Sequence, residues 1–573
     1  MDRSTVRPIA MIAALILIGV LLGAQLYTMK PPPPREIGSP DRLFSAERAK
    51  ATLDELLAEE APHPAGTKAN IQVRSRIAEK LESYGYEVEK QDAVYYAENR
   101  AAFYSLQNLM AKLPGREDGP AVAVVAHHDS VGAGPGASDD MANVAAILEI
   151  ARMLKQEEPF RNPILFLITD GEEHWLLGAK SFMEEHPWAK EIGAVINLEA
   201  RGTAGRSIMF ETSDKNSLLI DAYTRSVRSP EAASISYEIY KRMPNDTDFT
   251  VFKNAGIPGM NFAFIQNKEL YHTALDNREN MSLGSLQHQG ESVFNVVKKL
   301  ANMDLNFPSL ENRVYQSLFG VWFVSWPESW NIWGLWIDFA LLMFVLFVLM
   351  KYKYLDKKML GWGVLAWAVV VVVTVFGASS LMKGLSALSG VAEPWYAFPL
   401  ASRIALAGSV LFLGWILGLY YAKKAGFWGL LMGNLFWWTI AAIALVYSAP
   451  LASYVALGPL DAAAYLLFVI CFTPLKKYFF FRELAALIPA LVTAFLWIGM
   501  AVAMDLAFGL AKSEWIAFPI ALILTSLLPL CAVDKARRKS HKILLTLTLL
   551  VVIGSSAAAL YFPPFSETAP QRI

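Results

Sequence analysis

Cysteine is almost absent from this 573-residue chain: Cys471 and Cys531 are its two thiols, and both fall inside long apolar runs. That excludes a disulfide framework and a cysteine-ligated metal site. A basic surplus is missing as well. Lys and Arg number 51 against 52 Asp and Glu, a net charge of −1, so the positive excess that nucleic-acid binding draws on is not there. Charge of either sign is scarce, at 18% beside 54% hydrophobic residues, which is too apolar for an ordinary soluble protein. Most of that charge falls in the first half, so the second half reads as lipid-embedded. The length exceeds what one core serves, and two or more domains are expected.

What is present divides the chain. Arg3 and Arg7 precede an apolar stretch from about Pro8 to Tyr27. About 20 residues at 1.5 Å each cross a ~30 Å hydrocarbon layer, so 1–30 reads as an uncleaved anchor. The rival is a cleaved signal peptide, with Gly23 and Ala24 as small residues near its end. In either case the following segment is exported. Pro31–Pro34 make 31–38 a stiff linker. From 39 to 306 the composition is that of a soluble α/β domain, 307–331 reads as a connector, and 332–573 is nearly continuous membrane. Eight apolar runs are expected as spans there: 332–350, 361–382, 398–421, 427–448, 455–475, 484–508, 514–533 and 541–561. Basic clusters follow every second run: Lys351, Lys353, Lys357 and Lys358; Lys423 and Lys424; Lys476, Lys477 and Arg482; Lys535, Arg537, Arg538, Lys539 and Lys542. The positive-inside rule then puts both the N-terminus and these clusters in the cytoplasm, and the 39–306 domain and the C-terminus on the far side.

Within 39–306, AVAVVA at 121–126, ILFLIT at 164–169 and AVINLE at 194–199 have the length and composition of buried strands. Between the first two, Val144, Ile147, Ala151 and Leu154 recur at helical steps. Strands alternating with helices predict a three-layer domain: a mostly parallel central sheet flanked by helices, with its chemistry at the carboxyl ends of the strands. Five motifs fall there. AHHDSVG supplies His127 and, two residues on, Asp129, placed to orient that imidazole. GASDDMANVAA supplies Asp139 before the helix, TDGEEHW the pair Glu172 and Glu173, INLEARG Glu199, and YHTALDN His272 and Asp276. Two imidazoles and several carboxylates without a thiolate suit zinc or a similar divalent ion. Any one motif is a common surface pattern; together, each beside a strand end, they form a set.

These motifs, with PHPAGTKANIQVRSRIAEKLESYGYEVE at 62–89, resemble the co-catalytic zinc aminopeptidases of metallopeptidase family 28. A peptidase domain followed by many spans further resembles the membrane subgroup of endoplasmic reticulum metallopeptidase. The resemblance implies a pair of zinc ions bridged by Asp139, one completed by His127 and Glu199, the other by Glu173 and His272. It makes Glu172 the general base, Asp129 and Asp276 supporting residues, and peptide N-termini the substrate. His128 stands where an aromatic residue is frequent, and His174 and Trp175 where a smaller residue is common, so all three are expected in the pocket wall.

Asp246 and Asp248 either line the pocket or cap a helix, and Tyr271 is a further pocket candidate. His63, His186, His288 and His541 read as surface or packing residues. Asp338, Arg403, Asp461 and Asp505 lie in the apolar runs, where charge is costly, but several are near span ends and they form no transport-like repeat. The membrane half is therefore expected to anchor the domain or to join an oligomer or protein partner in the bilayer. Two other functions remain open: a glutaminyl cyclase-like acyltransferase with a single zinc, and a scaffold with a peptidase-like ectodomain. Tyr271, where the cyclases commonly carry tryptophan, mildly favours the peptidase over the first.

Overall fold

A computed structural model describes residues 9–97, 102–306, 311–472, 479–532, 538–567 and 569. The chain divides into two compact units, Thr28–Glu328 and a second formed by Met1–Tyr27 with Ser329–Ile573. Arg3, Arg7, Lys476, Lys477, Lys535 and Arg537 lie outside the described residues.

The first unit is built on a seven-stranded sheet. Its strands are β1 (Val88–Ala97), β2 (Ala102–Leu113), β3 (Ala121–His127), β4 (Ile164–Thr169), β5 (Ile192–Ala200), β6 (Ile208–Thr212) and β7 (Gly259–Phe264), in the order β1-β2-β4-β3-β5-β7-β6. β4, β3, β5 and β7 run parallel, while β1, β2 and β6 add antiparallel pairs at the two sides. The three strands expected from the sequence are β3, β4 and β5, at the centre. Every residue of β3 and β4 is buried, as a strand covered on both faces requires. The pleat sends alternate side chains to opposite layers. Val122, Val124 and Ala126 join a core with Ile147, Ala151, Leu53, Ile77 and Val293, whereas Ala121, Ala123 and Val125 meet Phe182, Phe249 and Phe252. The unit is thus a mixed, mostly parallel sheet between two helical layers.

This unit is wider than 39–306. The proline stretch does not stand apart as a spacer: the Arg35 N–H donates to Gln287 Oε1 at 2.9 Å, and its guanidinium pairs with Glu291 at 2.8 Å. Those bonds fasten the stretch to the helix Leu283–Leu300. The connector is likewise structured. Arg313–Leu318 (β8) and Trp322–Pro327 (β9) form an antiparallel hairpin that bridges to Ala233 through Gln316.

The second unit is helical. With Pro399–Ser448 counted once, seven of its described helices are long and apolar enough to cross a membrane. Pro399–Ser448 is two helices joined at a kink, and they carry the two runs expected at 398–421 and 427–448. The kink is at Gly426, whose φ of 63° and ψ of −175° are not helical, just after the basic pair Lys423–Lys424.

Candidate metal centre

The parallel strands deliver their ends to one edge. β3 terminates on His127, β4 leads through Thr169 into the Asp170–Glu173 turn, and Glu199 is the penultimate residue of β5. Asp139 sits in the turn Ala137–Met141, which runs into the helix Ala142–Leu154; its peptide bond to Asp140 is cis. His272 follows β7 in a loop and takes φ of 58°.

Three groups of potential ligands result, each with its atoms within 4.8 Å of one another: His127, Asp139, Asp140 and Glu199; Asp139, Glu173 and His272; and His127, Glu172 and Glu173. Asp139 belongs to two of them. Its Oδ1 lies 3.4 Å from His127 Nε2 and its Oδ2 3.1 Å from His272 Nε2. The other His127 nitrogen, Nδ1, donates to the Asp129 carbonyl at 3.0 Å, which leaves Nε2 facing the cluster. The Asp129 carboxylate, whose Oδ1 lies 3.4 Å from the same Nδ1, has a second task. It accepts the Glu172 N–H at 3.0 Å and the Glu173 N–H at 3.2 Å, tying the β4 turn to the β3 end. Asp276 does the same for the opposite loop, accepting the Ser138 and Asp139 amides at 2.8 and 3.1 Å.

The electrostatics call for a cation. Burial, reinforced by neighbouring carboxylates, pushes Glu172 and Glu199 well above the usual carboxylate range, and Glu173 to about 7. Against burial, Asp139 and Glu173 hold His272 up at about 10, and Asp129 with Asp139 raises His127. Asp139 itself is held below its ordinary value, the two imidazoles outweighing desolvation. Carboxylates this closely packed retain protons on themselves and on the histidines, and a divalent ion replaces those protons. One bond is also missing. His272 Nε2 lies 3.0 Å from Glu173 Oε1, yet that buried oxygen has no aligned hydrogen bond. A metal between Asp139, Glu173 and His272 would satisfy all three, and oxygen and imidazole donors without sulfur suit zinc.

The remaining candidates separate. His128 is buried away from these groups, between Asn70 Nδ2 at 3.3 Å and the Gln107 carbonyl at 3.2 Å. His174 packs against Tyr104 with the rings tilted by 47° and centroids 4.6 Å apart, and Trp175 is partly exposed. Tyr271 stacks on His272 at 3.7 Å. Asp246 is exposed. Asp248 is buried, accepts the Thr169 hydroxyl and leaves Oδ1 unpartnered; the cap of its helix is Thr247 instead. Asp140 was not singled out from the sequence. It accepts the His127 N–H at 3.3 Å and an Asn143 amide, and the second acid of the Asp139-Asp140 pair was its only visible signal.

Residues 108–297 match the model of peptidase family M28. Endoplasmic reticulum metallopeptidase 1 of Mus musculus is 35% identical over 45% of this chain and 28% of its own length. The vacuolar membrane protease of Candida dubliniensis is 33% identical over 46% of this chain and 29% of its own. The matches thus span less than a third of either relative. Among solved structures, glutaminyl cyclase of Porphyromonas gingivalis has a TM-score of 0.38 at 22% identity, over 45% of this chain and 99% of its own. An aminopeptidase from Aneurinibacillus sp. strain AM-1 has a TM-score of 0.38 at 15% identity, over 45% and 94%. The part of this chain that carries the cluster, residues 108–297, is a domain of peptidase family M28.

Proposed function

We propose that this chain is a membrane-bound zinc aminopeptidase that removes N-terminal residues from peptides outside the cytoplasm. The observation that carries the reading is the position of Asp139 between two imidazoles, one from each side of the strand edge. His127, Asp139 and Glu199 would hold one zinc, and Asp139, Glu173 and His272 the other. Bound there, the pair supplies Lewis acidity to a scissile carbonyl and acidifies the attacking water.

The protein's own groups do the rest. Burial and the Glu199 charge raise the proton affinity of Glu172, which suits it to take the water's proton and return it to the leaving amine. Asp129 holds the Glu172 main chain, so the base and the ligand Glu173 move as one unit. In the second unit, the basic residues Lys351, Lys353, Lys357 and Lys358 favour a cytoplasmic face there, with the metal domain opposite. The helical unit would anchor the domain and offer a surface for an oligomer or protein partner.

The test compares a short peptide with its N-acetylated form, following products by mass spectrometry. Release of the first residue from the free peptide alone is expected. Cleavage of both forms would replace the aminopeptidase reading with an endopeptidase, and loss of water or ammonia from an N-terminal glutamine without cleavage would replace it with a cyclase.

A further inference from the structure

β2 pairs with β4 only from Leu109↔Ile168 to Leu113↔Ile164. Since the strands are antiparallel and β4 ends at Thr169, the segment Ala102–Asn108 of β2 runs past the carboxyl edge of the sheet. β1 runs with it, Tyr95 opposite Tyr104 and Tyr96 opposite Phe103. At about 3.4 Å per residue the pair rises on the order of 20 Å above that edge, beside the turn that carries Glu172 and Glu173.

One face of this ladder is fastened to that turn. The Gln107 N–H donates to Asp170 Oδ2 at 3.0 Å. Leu106 lies so close to Gly171 that a Cβ there would come within 2.7 Å of it. Tyr104, on the same face as Leu106, packs its ring against His174 at a tilt of 47°, and Tyr95 is its direct cross-strand partner. Trp175 comes next in the chain and is 39% exposed. Trp175 and Leu176 hold φ of 71° and 62°, left-handed conformations that cost energy for side chains of this size. The fold sustains that cost directly after two of the site's glutamates.

We propose that Tyr95, Tyr104, His174 and Trp175 form the subsite for a large apolar side chain, aromatic or aliphatic, flanking the scissile bond of the substrate. This rests on the peptidase reading above. Rings held by strand pairing and by the Tyr104–His174 contact offer broad contact area, and little side-chain freedom remains to be lost on binding.

The experiment uses the full-length chain in nanodiscs, zinc-loaded, with Glu172→Gln to prevent turnover. Calorimetry measures the affinities of Phe-Ala, Ala-Phe and Ala-Ala. One of the two phenylalanine dipeptides should bind about tenfold or more tightly than Ala-Ala. That advantage should collapse in Trp175→Ala and Tyr104→Ala and persist in Trp175→Phe and Tyr104→Phe. Equal affinity for all three dipeptides, or an advantage surviving both alanine substitutions, would overturn the proposal. Selective binding of a phenylalanine dipeptide that the unsubstituted chain never cleaves would uphold the wall and remove the peptidase reading instead.

Discussion

Asp276 holds Asp139 by its main chain: one carboxylate oxygen accepts the Asp139 N–H at 3.1 Å, and the other accepts Ser138 at 2.8 Å. The residue shared by two ligand groups is therefore fixed by a neighbour that need not touch the metal. Asp276→Asn puts an amide where one acceptor stood. Metal affinity should fall about 10- to 100-fold, the usual range for such supporting residues, and zinc-buffered titration measures it. Unaltered affinity would show that the loop is held by other contacts.

Removing metal should cost stability as well as activity, because Glu172, Glu173 and Glu199 are then buried together without a cation. Zinc at 100 times its dissociation constant stabilises the folded form by about 2.7 kcal/mol. A chelated sample should melt at lower temperature and recover on adding zinc but not calcium, whose larger coordination shell fits imidazole donors poorly. A melting curve indifferent to chelation contradicts this.

Much of this arrangement was legible in the sequence, for a physical reason. Strands buried on both faces must be apolar along their length, so β3, β4 and β5 announce themselves, and the polar residues at their ends stand out. β1 was not legible: VEKQDAVYYA mixes charged and aromatic residues because part of the strand lies beyond the sheet edge. Spacing revealed only half of what Asp129 does. Its place two residues after His127 suggested an imidazole partner, and Oδ1 does lie 3.4 Å from His127 Nδ1, but the carboxylate also binds the amides of Glu172 and Glu173, some 43 residues away. Capping preference could not separate Asp246 from Asp248 either, since Thr247 between them takes that role. In the membrane unit hydropathy separated the apolar runs on the two sides of Gly426, where the backbone does leave helical geometry.

His288, read from sequence as packing, predicts a pH effect. Its Nδ1 accepts the Ser207 N–H at 3.0 Å, and Nε2 lies 2.8 Å from the Ser229 carbonyl. Burial, aided by the Arg206 charge, lowers its pKa from 6.5 to about 4. Between those values the unfolded chain binds the extra proton, so this stabilisation is complete above 6.5 and declines as pH falls toward 4. The full effect is about 3 kcal/mol. The drop in melting temperature from pH 7 to pH 5 should be smaller in His288→Asn than in the unsubstituted chain; an equal drop would contradict this.

Helix packing in the second unit depends on three glycines. A Cβ on Gly363 would lie 1.8 Å from the Gly429 carbonyl oxygen, and one on Gly433 would lie 2.2 Å from the Gly363 carbonyl carbon. Gly429 and Gly433 are spaced as a small-xxx-small crossing requires. Gly363→Ala should destabilise the unit by about 1–3 kcal/mol. Gly384→Ala, in the same helix with nothing within 4 Å, should be neutral. Thermal unfolding in detergent compares them, and equal melting would place the crossing elsewhere.

The most direct measurement is the zinc content of the purified chain beside that of Glu172→Gln, each paired with peptide turnover. With Glu172 as the base and five other residues as ligands, both proteins should carry about two zinc ions, and turnover should fall about 10²- to 10⁴-fold in the variant. Zinc lost along with activity would make Glu172 a ligand, and full turnover without it would leave the proposed proton transfer with no acceptor.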